Sequence, residues 1–336
     1  MRRALRIVVA TALALVALAL VAGCGGDDGD AESGSGEIAF TVNDSGWNEI
    51  WLMAPDGSGR RRLTEPEPPE NDAAGSGSPA WSPDGTQIAF AAQIGTREED
   101  QRLTEIYVMR ADGTNRRRLT TNEALEGSPT WSPDGERIAF ARITEPGTAS
   151  AHSGIVVIDA DGGNEVQITQ VVVPSFDLGP AWSPDGSEIA FTRAAPSAGT
   201  DNPRAGMYVV APDGSGLRKL THDGADADWS PGGTRIAFTS YRDSFGQTCF
   251  HECGISGEIY VLDIESGETR RLTESEANDG SPDWSPDGRL IAFVSDRSNP
   301  QEHENEIYVM TPAGEDVRRV TQNEVWDLEP AWRPWP

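Results

Sequence analysis

From Glu37 onward the chain is written in short bursts of apolar residues, separated by joints rich in Gly, Pro and Asp. The run Ser78–Phe90, "SPAWSPDGTQIAF", returns as "SPTWSPDGERIAF", "GPAWSPDGSEIAF", "ADWSPGGTRIAF" and "SPDWSPDGRLIAF". Within each repeat three further bursts follow the Trp: "IAF", then "EIYVM", "GIVVI", "GMYVV" or "EIYVL", then "RRRLT", "VQIT", "RKLT", "RRLT" or "RRVT". These bursts are rich in Ile, Val, Tyr and Phe and bounded by turn residues, so they predict four short strands per repeat and no long helices. The Trp residues stand at 81, 131, 182, 229, 284 and 332, giving intervals of 50, 51, 47, 55 and 48 residues. A period near fifty built from short strands is that of a β-propeller, one blade per repeat.

The joints agree with that count. Ser-Pro-Asp-Gly fixes φ at Pro and permits positive φ at Gly, which makes a tight reversal, and the Asp-Gly joints between the third and fourth strands do the same. Asp84, Asp134, Asp185 and Asp287 therefore read first as turn formers. The chain enters the pattern at Glu37–Phe40 with a second strand and ends in "EPAWRPWP", a first strand with nothing after it. Six Trp-bearing strands and six "IAF" strands predict an all-β, six-bladed propeller closed by pairing of the N- and C-terminal strands, which removes the open edge.

The phrases "SPAWSPDGTQIAF", "EIYVMRADGTNRRRLT" and "EIYVLDIESGETRRLT" resemble the WD40-like (PD40) repeats of TolB-type β-propellers, over roughly Glu37 to Pro336. The resemblance implies a propeller that serves as a binding platform, an enzyme gate or an enzyme. TolB itself, as the family implies, carries an α/β domain ahead of its propeller. The expectation here is a propeller without one, outside a Tol–Pal-type system. No G-x-S-x-G elbow occurs, and a prolyl-oligopeptidase-type hydrolase is not expected.

Residues 1–23 are of another kind: three arginines, an uncharged apolar run from Ile7 to Val21, then small residues. They read as a secretory signal. Val21-Ala22-Gly23-Cys24 resembles the bacterial lipobox, which implies cleavage before Cys24 and its lipidation. Residues 24–36 then form a flexible tether of Gly, Asp and Ser with an r.m.s. reach of roughly 20 Å, and residues 37–336 the propeller. Removing the leader takes the formal net charge from −27 to −30. Such a surface repels nucleic acid and anionic lipid, so membrane attachment falls to the lipid itself, on the extracytoplasmic side of the bacterial cell envelope. With Cys24 acylated, Cys249 and Cys253 remain in "TCFHEC", and export favours a disulfide between them over metal binding with His251.

In a four-stranded meander the second-to-third and fourth-to-first connections share one face. Here that face receives every long segment, such as "AAQIGTREEDQRLT" and "YRDSFGQTCFHECGISG", while the opposite face carries only tight turns. Recognition is expected on the loop face, and both termini on the tight-turn face. Five residues before the Trp stand Glu126, Asp177, Asp279 and Asp327; Asp226 and Glu329 stand three before it, and Asp228 and Asp283 one before it. With simple alternation all of these face the axis, where they would hold Ca²⁺ or a basic partner. No cofactor other than this possible calcium is expected. The expectation is a monomeric, non-catalytic binding or scaffold propeller that takes a protein or envelope ligand on its loop face. The alternative is a lyase- or lactonase-type propeller enzyme using metal with His152, His222, His251 or His303 in the channel.

Overall fold

The computed structural model describes residues 36–44, 47–65, 75–94, 103–146, 148, 151–172, 175–194, 205–242, 256–298 and 304–335. All of them belong to the second of two compact units, Gly34–Pro336. Cys24, Cys249, Cys253, His251 and His303 lie outside the described residues.

The architecture is an all-β propeller, with no α-helix among the described residues. Four repeats stand as separate four-stranded antiparallel sheets, and the expectation of six separate blades is corrected by the other two. Those two meanders share a nine-stranded sheet, joined where Thr104 pairs in parallel with Leu125. The cause is local. The Thr104 hydroxyl donates to the Glu126 carbonyl at 2.6 Å and accepts from the Glu126 N–H at 2.8 Å, which draws the outer part of one meander onto the inner strand of the next.

Closure follows the expected course. Strand Ile38–Asp44 lies between Trp47–Met53 and the last strand, Trp326–Trp332, with Ile38 opposite Trp332. Arg333 completes the join: its N–H donates to the Glu37 carbonyl, its guanidinium pairs with the Glu37 carboxylate at 2.7 Å, and a second donor reaches the Gly85 carbonyl at 3.0 Å. Gly85 belongs to a Ser-Pro-Asp-Gly turn, so both ends of the ring meet on the tight-turn face.

Those turns are held as their residues dictate. The Ser82 hydroxyl and the Thr86 N–H both donate to Asp84, the Gly85 N–H donates to the Ser82 carbonyl, and Gly85 takes φ +65°. Asp134, Asp185 and Asp287 repeat the arrangement. The serine hydrogen bond is the main reason the carboxyls of Asp84, Asp134 and Asp185 sit below the usual range.

The core lies between sheets. Six phenylalanines from the "IAF" strands, Phe40, Phe90, Phe140, Phe191, Phe238 and Phe293, are fully buried. Each repeated Trp packs across a junction: Trp81, for example, joins Ile50 and Leu52 of the preceding meander to Phe90 and Tyr107 of its own. Burial of these side chains is the dominant favourable contribution to folding.

Candidate functional site

The inner strands do not alternate simply. Between Gly77 and Ala80 the register with the neighbouring strand slips by one residue, and the same slip occurs at Gly127/Thr130, Leu178/Ala181, Ala225/Asp228 and Gly280/Asp283. The residue at each slip is left-handed: Ser78, Ser128, Gly179, Asp226 and Ser281 have φ between 50° and 56°, and Glu329 has φ 50° in the last strand. A bulge of this kind re-aims side chains and breaks the parity of the strand. Position three before the Trp stays on the channel in all six inner strands and position one in all but that of Thr130, while position five turns to the opposite side.

One residue from each of the six inner strands, the left-handed one, lines an axial cavity of about 290 Å³. Its wall is uneven. Asp226, Asp228, Asp283 and Glu329 crowd one half, and Ser78, Ala80, Ser128, Gly179 and Ala181 line the other. No Lys, Arg or His belongs to the wall among the described residues. Each acid has backbone or hydroxyl support. Asp228 accepts from the Trp284 N–H at 2.7 Å, and Asp283 from the Trp332 N–H at 2.7 Å. Glu329 accepts from the Thr41 hydroxyl and from both the N–H and hydroxyl of Ser78, at 2.7–2.8 Å, and Asp226 from the Thr239 hydroxyl at 3.2 Å.

Electrostatically this half of the cavity is short of positive charge. Burial pushes the Asp228 carboxyl up to about 7, and burial together with the Asp228 charge raises Asp283 well above the usual range. Asp226 is raised by burial and further by the Glu329 charge, against the Thr239 hydrogen bond. The nearby phenol of Tyr241 is held up at about 12 by burial and by the charge of Asp226. Polar residues at the position before the Trp also disturb the next junction. Where that residue is Ala, the following indole N–H reaches its carbonyl: Trp81 to Ala331, Trp131 to Ala80 and Trp229 to Ala181, each at 3.2 Å. Where it is Thr130, Asp228 or Asp283, the following Trp182, Trp284 and Trp332 have buried indole N–H groups with no acceptor.

The expected place of Glu126, Asp177, Asp279 and Asp327 beside the axis is corrected: the bulge turns all four away, and each is buried against an arginine. Glu126 meets Arg142 at 2.6 Å, Asp279 meets Arg297 at 2.7 Å, and Asp327 meets Arg60 at 3.5 Å. Asp177 takes two bonds from Arg193, at 2.6 and 2.7 Å. The arginines lie over the blade aromatics, Arg193 at 4.9 Å from the Tyr208 ring and Arg297 at 5.0 Å from Tyr308. Where the acid is absent, in the fifth repeat with Gly224, Asp223 supplies the carboxylate to Arg242 at 2.7 Å. These arginine clamps were open to sequence reading in one respect: an Arg recurs sixteen or eighteen residues after the acid, as Arg142, Arg193 and Arg297.

His152 opens a strand of the third repeat, and His222 is exposed in the connection before the fifth. Neither belongs to the wall of the axial cavity, and among the described residues no three His, Cys, Asp or Glu side chains are grouped so as to hold a metal ion. On the loop face the fourth-to-first connections present exposed Glu123, Glu276 and Glu324 at equivalent places, with Trp326 45% exposed beside the last.

Comparison with known families matches residues 70–147 and 248–335 to the TolB beta propeller domain. The matched repeats are TolB-type propeller repeats. A protein TolB homolog of Chlorobium chlorochromatii is 30% identical over 148 residues, 44% of this chain and 30% of that protein. The chain matches less than a third of the length of the curated relatives it resembles. Among solved structures, TolB from Acinetobacter baumannii aligns with TM-score 0.66 at 19% identity over 89% of this chain and 67% of its own. A putative TolB from Agrobacterium tumefaciens aligns with TM-score 0.60 at 21% identity over 90% of this chain and 100% of its own. An oligogalacturonate lyase in complex with manganese shares the fold at TM-score 0.52 and 18% identity, covering 86% of this chain and 74% of its own. At these identities the structural likeness establishes the propeller architecture of the chain and nothing about its chemistry.

Proposed function

We propose that this chain of TolB-type repeats is a non-catalytic binding propeller of the bacterial cell envelope, lipidated at Cys24 and tethered on the extracytoplasmic side of a membrane through residues 24–36. It acts as a monomer whose ring counts as six blades once the nine-stranded sheet is divided at Thr104 and Leu125. The observation that carries this reading is the meeting of both ring ends on the tight-turn face, through Arg333, Glu37 and Gly85. A tether leaving beside Glu37 turns the loop face away from the membrane, toward a protein or envelope ligand. The exposed Glu123, Glu276 and Glu324 on that face suit a basic surface. The calcium expected from the sequence has no place at Glu126, Asp177, Asp279 and Asp327, which already hold arginines.

Affinity capture from envelope extracts tests the reading. Glu123→Lys with Glu324→Lys on the loop face is expected to abolish capture, while Glu136→Lys with Ser187→Lys on the tight-turn face leaves it intact. Capture that depends on the second pair and ignores the first overturns the assignment of faces. Turnover of a carbohydrate or ester by the purified chain would instead favour the propeller-enzyme reading.

A further inference from the structure

The fifth repeat departs from its sisters at one turn. Where the others read Ser-Pro-Asp-Gly it reads Ser230-Pro231-Gly232-Gly233, without the acid. In the sister turns that acid has a fixed set of donors: Asp185 accepts from the Ser183 hydroxyl at 2.6 Å, the Ser187 N–H at 3.0 Å and the Ser187 hydroxyl at 2.8 Å. The fifth repeat keeps the frame that holds it. The Gly233 N–H donates to the Ser230 carbonyl at 2.8 Å and Gly233 takes φ +68°. The Ser230 hydroxyl accepts from the Arg235 N–H at 3.1 Å, as the Ser183 hydroxyl does from Glu188. Ser230 is 3% exposed, and its own hydroxyl proton finds no acceptor among the described residues. The Thr234 N–H, counterpart of the Ser187 N–H, has no acceptor there either. Buried donors are normally paired, so the turn lacks the group its frame is built to hold.

Space goes with the missing acid. A Cβ built on Gly232 would meet nothing within 4 Å. Beside it lies a cleft of about 440 Å³ between this turn and that of the fourth repeat, walled by Trp229, Pro231, Ile264 and Pro184. A positive charge is at hand as well. Arg235 lies over the Trp284 ring at 4.9 Å, as Arg137 lies over Trp182 at 5.0 Å. In the third repeat the hydrogen bonds from Ser132 and the Glu136 N–H hold the Asp134 carboxyl below its usual range, and the Arg137 charge adds to them. Donors, a cation and an apolar cleft thus meet where four sister turns hold a carboxylate of their own. We infer that the turn Ser230–Gly233 binds the carboxylate of a small monocarboxylic acid on Ser230 and Thr234, with the apolar part of the acid against Trp229 and Ile264. A second carboxylate is disfavoured, because Asp185 and Glu188 line the other side of the cleft. This site is on the tight-turn face and separate from the loop-face reading, so the failure of either leaves the other standing.

Calorimetric titration of the full chain at pH 7.5, with melting curves in parallel, tests the inference. The probes are 4-methylpentanoate, its uncharged amide, N-acetyl-leucine and methylsuccinate. Binding of the first or third with a rise in melting temperature, no response to the amide, and weaker binding of the dicarboxylate are expected. The stronger of the two monocarboxylates tells a free acid from the carboxyl end of a short peptide. Gly232→Asp supplies the missing acid from the chain itself, and it is expected to abolish binding and raise the melting temperature of the unliganded protein. Gly232→Ala adds a methyl group and no acid, and should keep the binding; Gly232 has no positive φ, so both side chains fit. Ser230→Ala is expected to weaken binding at least about tenfold, and if that variant does not fold, the two Gly232 variants decide. Silence toward both monocarboxylates, equal binding of the amide or of methylsuccinate, binding that survives Gly232→Asp, or binding lost equally in Gly232→Ala overturns the assignment.

Discussion

Truncating Asp177 tests whether the acids five residues before the Trp are structural clamps. Its side chain is 0% exposed, and it takes both hydrogen bonds of Arg193, which is itself 14% exposed and stacked on Phe191 and Tyr208. Asp177→Ala strands that guanidinium among aromatic rings. Breaking a buried ion pair from one side destabilises by about 3–5 kcal/mol. For a domain of this size each kcal/mol moves the melting temperature by about 2 °C, so a fall of about 6–10 °C is expected. Replacing both partners, Asp177→Leu with Arg193→Leu, removes the stranded charge and should recover at least half of the loss, giving a coupling energy above about 1 kcal/mol in a double-mutant cycle. Differential scanning calorimetry at pH 7.5 with and without calcium reads Asp177→Ala, the two single leucine variants and the double variant. A shift below about 2 °C for Asp177→Ala, or a double variant no better than the sum of its parts, would refute the clamp. A parent stabilised by calcium and an Asp177→Ala variant indifferent to it would return the acid to the role of ligand.

Other outcomes follow from the same geometry. Trp332→Ala empties the closing strand's contact with Phe40 and Ile38 and should lower stability by about 3–5 kcal/mol in urea titration. Stability should fall as pH rises from the ordinary carboxylate range toward about 7, because Asp228 and Asp283 keep their protons longer in the folded state than in the unfolded chain. Melting temperatures at pH 5 and pH 8 should show this loss in the parent and a smaller one in Asp228→Asn with Asp283→Asn. For Cys249 and Cys253, thiol labelling of the exported protein should find neither side chain reactive, and two labelled thiols would exclude their disulfide.

The repeat was legible because its elements are strongly punctuated. Trp, Ser-Pro-Asp-Gly and "IAF" recur at fixed offsets, and each marks a turn or a buried strand that admits little else, so the meanders, the turn aspartates and the closing strand followed from the letters. The axial site was legible in part. Asp226, Asp228, Asp283 and Glu329 line the channel as simple alternation requires, yet the same alternation misplaced Glu126, Asp177, Asp279 and Asp327. The reason is the bulge at Ser78 and its equivalents, which adds one residue to the inner strand and reverses the parity beyond it. Ser before Pro carries no plain signal for left-handed backbone, which is more often marked by Gly or Asn. Fusion of two meanders at Thr104 was also hidden, since it depends on one hydroxyl meeting the backbone of the next repeat.

The claim that the loop face is the working face is tested most directly by photo-crosslinking in intact cells. A benzophenone amino acid is placed singly at Glu123, Glu276 and Glu324 on the loop face, and at Thr86, Glu136 and Ser187 on the tight-turn face, all exposed positions. The account predicts one common crosslinked partner from the first three sites and none from the others. A partner trapped from Thr86, Glu136 and Ser187, with the loop-face sites silent, would contradict it.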